Sequence, residues 1–464
     1  SSNYLGAVAI GAYYWCNSVS GIISEVSRLG LFNSVSYYAP KYEVQKGKLA
    51  AEKLLISILW ISIISSCLFG IIFYVFAGQI AAILEKPKLT LMLRVFALAI
   101  PVGTVWPLFY RFLVSRFQFK LSVLYGDIIR PIIRLLALIA FIMIGARSFS
   151  LIFSDILTGL IMIAFTGLII STTFANKKLL SSLSPEEMRP VIGYALPFIP
   201  LSLVKGNNII IIILGLFAGA AKIGIFSVAF KLAIISNFLL IGINFVFRPM
   251  LAKLFAENNY NTLRSMFKSI TRWIFAGTLP VSLVLIMYPA SFMALFGKKF
   301  EAGAAALAII AIGYLFDFAT SSTQTVIAMS GRSLMMLINQ VCAFVVVSLL
   351  AFILIPNYGI NGAAIAVASG IIVINLIRLY QSYKIIGCLP FSSYLFKPIL
   401  AALASGILTY LLFPMSKTYH LLQLIMLVGI YFIAYLCILL FMGINKEDKM
   451  LLAAARDKLV RGIS

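Results

Sequence analysis

Gly6-Ala7-Val8-Ala9-Ile10-Gly11-Ala12-Tyr13 returns 213 residues later as Gly219-Ala220-Ala221-Lys222-Ile223-Gly224-Ile225-Phe226. Leu135-Leu136 and Gly145 return as Leu349-Leu350 and Gly359 at nearly the same offset. Two copies of one pattern, each opening an apolar run on the same predicted side, indicate a parallel repeat with its pseudo-axis along the membrane normal. The spacing predicts two related six-helix bundles, with further helices after the second copy.

The rest of the chain supplies those helices. Of its 464 residues, 62% are hydrophobic and 11% are charged, and the mean hydropathy is +1.06. A soluble core cannot absorb so much apolar sequence. About 13 runs reach the roughly 20 residues that cross a bilayer. They lie at 7–38, 54–83, 89–110, 121–144, 149–174, 191–217, 223–252, 273–296, 302–328, 333–355, 360–381, 398–414 and 420–443. The predicted fold is an all-α polytopic membrane protein. Residues 1–176 form an N-terminal lobe, 177–190 a cytoplasmic linker and 191–388 a C-terminal lobe. Two additional helices occupy 389–444, and 445–464 is a cytoplasmic tail with an amphipathic pattern suited to the anionic inner surface.

Charge sets the orientation. Net charge is +23, with 37 Lys and Arg. Of these, 23 lie in alternate loops and the tail, against seven in the opposite loops. The positive-inside rule then places the C-terminus in the cytoplasm, and residue 1 outside. A first helix upstream of Ser1 is expected, giving about 14 helices in the parent protein. The basic excess is therefore a membrane signal and predicts no nucleic-acid partner. Cys16, Cys67, Cys342, Cys388 and Cys437 are unpaired in spacing and read as apolar fillers. His420 has no ligand cluster beside it, so no metal site is expected. No nucleotide-binding loop is seen.

Seven basic side chains fall inside the spans, with Arg378 counted in the loop 378–397: Arg28, Arg94, Arg130, Arg134, Lys205, Lys231 and Arg248. Four acids join them: Glu25, Asp127, Asp155 and Asp317. A charge at mid-bilayer costs about 2.5–3.5 kcal/mol on insertion scales, so it is usually kept for a pathway or a partner. The basic excess predicts a central cavity for an anionic cargo carrying phosphate or carboxylate. Arg28, Lys205, Lys231, Arg134 and Arg130 are the candidate cavity cations; Glu25, Asp127 and Asp317 are the candidate gating or coupling acids. Glu25 and Arg28 share a helix face. Asp127 is the expected partner of Arg130, which would leave Arg134 free. Arg94 and Asp155 lie near span ends, and Arg248 fits an interfacial anchor. Asp317 would be protonated or paired with a cation such as Lys205 or Lys231.

Several short motifs carry a family resemblance over nearly the whole chain. They are the repeated Gly-Ala-x-x-x-Gly-x-Tyr/Phe opening, Arg28-Leu29-Gly30-Leu31, Ala195-Leu196-Pro197, Arg248-Pro249-Met250-Leu251-Ala252-Lys253-Leu254, and Ile355-Pro356-Asn357-Tyr358-Gly359-Ile360-Asn361-Gly362-Ala363-Ala364. In order and spacing the chain resembles the Wzx-type flippases of the multidrug/oligosaccharidyl-lipid/polysaccharide exporter superfamily. The resemblance implies a MATE-like two-lobed fold, no enzymatic activity, and transport by alternating access. The implied cargo is an undecaprenyl-pyrophosphate-linked oligosaccharide, such as an O-antigen or other surface-polysaccharide unit of lipopolysaccharide biosynthesis. It also implies a bacterial inner membrane, other polysaccharide-assembly membrane proteins as partners, and no cofactor beyond a coupling cation, Na+ or H+. Many relatives carry an acid about five residues before the Leu-Gly of the seventh helix. Here Asn208-Ile209-Ile210-Ile211 precedes Leu214-Gly215 without one.

Three rivals share parts of this pattern. A multidrug exporter should show acidic cavity charges, opposite to the basic excess. A peptidoglycan-precursor flippase is close in mechanism. A polysaccharide polymerase or glycosyltransferase would need a sizeable external loop with catalytic groups.

Overall fold

Where no water reaches the backbone, a segment must satisfy its own N–H and C=O groups, and the helix does this within one run. A computed structural model describes residues 2–83, 87–115, 123–146, 149–173, 184–196, 199, 208–414 and 419–443. Among them the regular structure is helical and falls into two compact units, Ser1–Gly224 and Ile225–Ser464. Eight helices are long and apolar enough to cross a membrane, or nine when a bent pair counts as one span.

The first unit holds α1 (Ser2–Ser27), α2 (Leu31–Lys46), α3 (Lys48–Ile83), α4 (Thr90–Ser115), α5 (Arg130–Met143), α6 (Ser150–Thr173), α7 (Pro185–Ala195) and α8 (Asn208–Phe217). The helix α9 (Ala220–Ala233) straddles the boundary between the units. The expected single span 7–38 is broken. Leu29 (φ 50°) and Gly30 (φ 71°) take left-handed backbone, which ends α1 and lets α2 start at a new angle. The expected span 191–217 is likewise not one helix. The helix α7 begins at Pro185, inside the stretch read as a linker, because Ser184 caps it: its hydroxyl accepts from the Glu187 N–H, and Glu187 returns the bond. Leu54, Leu55, Phe109 and Val191 bring α3, α4 and α7 into one apolar cluster with Leu31 and Val35 of α2.

The glycines of the repeated motif meet in this unit. A methyl on Gly11 would fall 1.6 Å from the carbonyl oxygen of Ala220, and one on Gly224 would fall 2.2 Å from that of Ala7. Only glycine permits this backbone-to-backbone approach of α1 and α9, the small-residue packing that serves where burial from water gives little drive.

The second unit holds α10 (Asn237–Ala256), α11 (Tyr260–Met287), α12 (Pro289–Ala294), α13 (Ala304–Thr320), α14 (Ser322–Met329), α15 (Ser333–Ile386), α16 (Phe396–Leu412) and α17 (Leu421–Phe441). The span read at 223–252 is bent by 43° between α9 and α10. The 54-residue α15 is a hairpin: Gly359 (φ 54°, ψ −126°) breaks it. Beyond the break Gly362 lies against Leu354, Gly370 against Val347, and Gln381 bonds Asn339. Its two arms match the expected spans 333–355 and 360–381. Phe275 and Leu279 of α11 pack with Ala401, Ala402 and Tyr435 to dock the last two helices. The tail 445–464 lies outside the described residues.

Candidate functional site

Pro107 sets the first part of the site. It has no N–H, so the carbonyl of Gly103, four residues earlier in α4, loses its helical donor. Arg28 supplies a replacement: Nη2 donates to the Gly103 oxygen at 3.0 Å. The left-handed turn after Ser27 carries the guanidinium there, and Ser65 holds that turn by donating to the Ser27 carbonyl. Arg28 also meets Glu25 at 2.5 Å, as their shared helix face predicts. It lies over the Phe32 ring at 6.0 Å, and Arg111 approaches the same ring at 5.0 Å. Arg28 is mostly buried, whereas the Glu25 side chain is 37% exposed. The pair thus presents its acid outward and keeps its cation against α4.

The second part lies on α5 and differs from the expected pairing. Arg134 is not free. Its Nε lies 2.6 Å from Asp155 Oδ1, and its Nη2 donates to Asp155 Oδ2 at 3.3 Å. Tyr13 donates to the same carboxylate, and Arg134 Nη2 reaches the Tyr13 oxygen at 3.1 Å. This forked contact satisfies Asp155 of α6 from two other helices, α1 and α5, and neutralises Arg134. Arg130, one turn earlier, has no acid within ion-pair distance among the described residues. Its guanidinium lies 4.0 Å from the centroid of the Trp106 ring, a cation–π contact from α4. Asp127, expected to pair with Arg130, instead accepts a long 3.4 Å bond from Tyr110.

The remaining charges fall elsewhere. Arg94 lies over Tyr74 at 5.5 Å, linking the C-terminal part of α3 to the N-terminal part of α4. Asp317 in the second unit accepts from Asn375 at 2.7 Å and lies 4.0 Å from Arg378. Its described partners are thus these two side chains of α15, not the lysines considered from sequence. Lys231 is exposed on α9. Lys205 lies outside the described residues, as does the side chain of Arg248.

Sequence reasoning missed Trp106, Tyr110 and Arg378. Arg378 lies near the end of the run read at 360–381, and its partner Asp317 is 61 residues away in sequence, on a different helix. Trp106 gave a faint signal, since an aromatic beside Pro107 stands where α4 exposes unsatisfied backbone. Tyr13 closes the first copy of the repeat and is Phe226 in the second, so the hydroxyl that holds Asp155 belongs to one copy alone.

The family model described as polysaccharide biosynthesis protein matches residues 41–305, more than half of the chain. The capsular polysaccharide biosynthesis protein CapF of Staphylococcus aureus is 30% identical over 172 residues, 36% of this chain and 42% of that protein. The teichuronic acid biosynthesis protein TuaB of Bacillus subtilis (strain 168) is 21% identical over 290 residues, 61% of this chain and 58% of that protein. The chain thus spans about half the length of these curated relatives. Among solved structures, an inward-facing multidrug resistance MATE transporter of the MOP superfamily aligns with a TM-score of 0.69 at 15% identity, covering 83% of this chain and 92% of that one. The lipid II flippase MurJ, in an inward closed conformation, gives the same TM-score and identity over 94% of both chains. Equal likeness to a multidrug resistance transporter and a lipid flippase identifies the fold. The protein is a multi-pass membrane protein with the MOP-superfamily fold, and the chain belongs to the polysaccharide biosynthesis protein family.

Proposed function

We propose that the protein is a flippase that carries a polyprenyl-pyrophosphate-linked oligosaccharide, a surface-polysaccharide repeat unit, across the cytoplasmic membrane. The observation that carries the reading is Arg130. It is a cation among apolar helices, held by Trp106 and without an acid at ion-pair distance among the described residues. Such a charge is costly unless water or an anion faces it. A pyrophosphate offers the anion, and a guanidinium grips it by paired N–H donors. Arg28 is the second contact, exchanging Glu25 for phosphate, with Glu25 as the gate. Lys205 and Lys231 are the second-lobe cations of the same proposal. Arg134 becomes a positioning residue that holds Asp155 and Tyr13. The step is binding and release, and no covalent bond is made or broken. Coupling to Na+ or H+, with Asp317 as its carboxylate, belongs to the same proposal.

The family match and the names of the relatives support a polysaccharide precursor as cargo. Arg130, which has no acid at ion-pair distance among the described residues, weighs against a cationic drug. The test is flipping of a polyprenyl-pyrophosphate sugar in proteoliposomes. Arg130→Gln should slow it about tenfold to a hundredfold at subsaturating lipid, the loss of one charged hydrogen bond worth ~1.5–3 kcal/mol. Arg130→Lys should retain part of the rate. Unchanged flipping by a well-folded Arg130→Gln protein would remove this site from the pathway.

A further inference from the structure

Beside Arg130 the chain builds a second polar feature that phosphate binding does not use. Residues Val123–Ile129 wind as a π-helix before α5 begins. Pro131 explains the change of winding: it lacks the N–H that would close an α-turn onto the Asp127 carbonyl. Turns of this kind are rare and recur at functional sites, because the extra residue re-aims side chains. Here the re-aimed side chain is Asp127, which is exposed. An ionised carboxylate turned toward lipid would be costly, so it faces water or a polar ligand.

Tyr110 of α4 completes the arrangement. A methyl on Gly126 would fall 2.4 Å from the Tyr110 ring, so the glycine is what lets the ring lie against the π-turn. The phenol reaches Asp127 at 3.4 Å, a bond long enough to leave both carboxylate oxygens able to accept others. The Tyr110 ring lies 6.2 Å from that of Trp106, which in turn carries Arg130. A fixed carboxylate and a phenol thus stand next to the guanidinium assigned to phosphate. In a glycosyl pyrophosphate, the group next to phosphate is the first sugar ring. Its vicinal hydroxyls are donors spaced to suit one carboxylate, and the phenol adds a donor and acceptor.

We propose that Asp127 and Tyr110, held by Gly126 and the π-turn, form a sugar-reading site that binds the hydroxyls of the pyranose attached to the pyrophosphate. This rests on the flippase reading. It gives Asp127 a task in selectivity, in place of gating or ion coupling.

The test uses the full-length protein in nanodiscs and radiolabelled lipids. The probes are polyprenyl pyrophosphate without sugar, and the same lipid bearing glucose, galactose or N-acetylglucosamine. The wild type should bind at least one sugar-bearing lipid about tenfold more tightly than the bare lipid, as hydrogen bonds to a charged group imply. Asp127→Asn and Tyr110→Phe should each bring that ratio toward one. Arg130→Gln should weaken all the lipids and preserve the ratio. A wild-type ratio of one for all three sugars, or a ratio kept by both Asp127→Asn and Tyr110→Phe, overturns the sugar site and leaves the transport reading standing. Failure of the wild type to bind any of the four lipids overturns both.

Discussion

Arg130 and Arg134 stand one turn apart on α5, yet their surroundings give them opposite tasks. Arg134 is spent on Asp155 and Tyr13, while Arg130 is kept upright by an indole. Their difference is one of partners, since the two side chains are chemically identical. Removing one member of the Arg134–Asp155 pair should therefore affect stability first. Asp155→Ala leaves Arg134 without its anion, and the part exposure of the pair moderates the penalty to about 1–2 kcal/mol. A lower melting temperature in detergent is expected, with partial recovery in the Asp155→Leu/Arg134→Met double variant, where no charge is stranded. A melting temperature unaffected by Asp155→Ala would show that the contact holds nothing together.

At the scale of elements, two prolines inside helices, Pro107 and Pro280, each leave a carbonyl that another element serves. Pro107 frees Gly103 for Arg28. Pro280 frees Ala276, and Tyr435 of α17 donates to that oxygen at 2.7 Å. The second case explains how the last two helices are registered on α11, because a phenol buried in the bundle needs an acceptor and a kinked helix provides one. Tyr435→Phe should cost about 1 kcal/mol by stranding the carbonyl. Combined with Pro280→Ala, which restores an N–H to α11, the same change should cost much less. Thermal melting of the four proteins in a double-mutant cycle measures this coupling. Additive effects would mean that the tyrosine and the proline act independently.

At the scale of the molecule, the two repeats have diverged in their charges. The first unit holds the Arg28–Glu25 and Arg134–Asp155 pairs and Arg130. The described ion pair of the second is Asp317 with Arg378. The Lys and Arg asymmetry predicts that α7 begins on the cytoplasmic side. A cysteine at Glu186, in a protein stripped of its five native cysteines, should react with an impermeant maleimide only after cells are opened. Labelling in sealed cells would reverse the orientation.

How much of this was legible depends on the range of the physics involved. Membrane class and helical content could be read directly, because lipid demands about 20 apolar residues per crossing and every backbone group must bond within its own run. The repeat was legible as well, and so was the turn at Gly359 between two spans. The Glu25–Arg28 pair could be read from a three-residue spacing. The choice of Asp155 over Asp127 could not. Arg134 and Asp155 are 21 residues apart and Tyr13 lies 121 from Arg134, so only packing of α1, α5 and α6 decides who meets whom. Breaks at Leu29-Gly30 and at 234–236 escaped notice because hydropathy averages over a turn and does not register a change of backbone direction. The sequence by itself determined a basic, repeated, helical membrane protein, through local and additive properties. Tertiary structure alone decided which cation lacks an acid at ion-pair distance among the described residues, which proline carbonyl is served, and that Tyr110 and Trp106 of α4 meet Asp127 and Arg130, since each of these depends on groups brought together from separate helices.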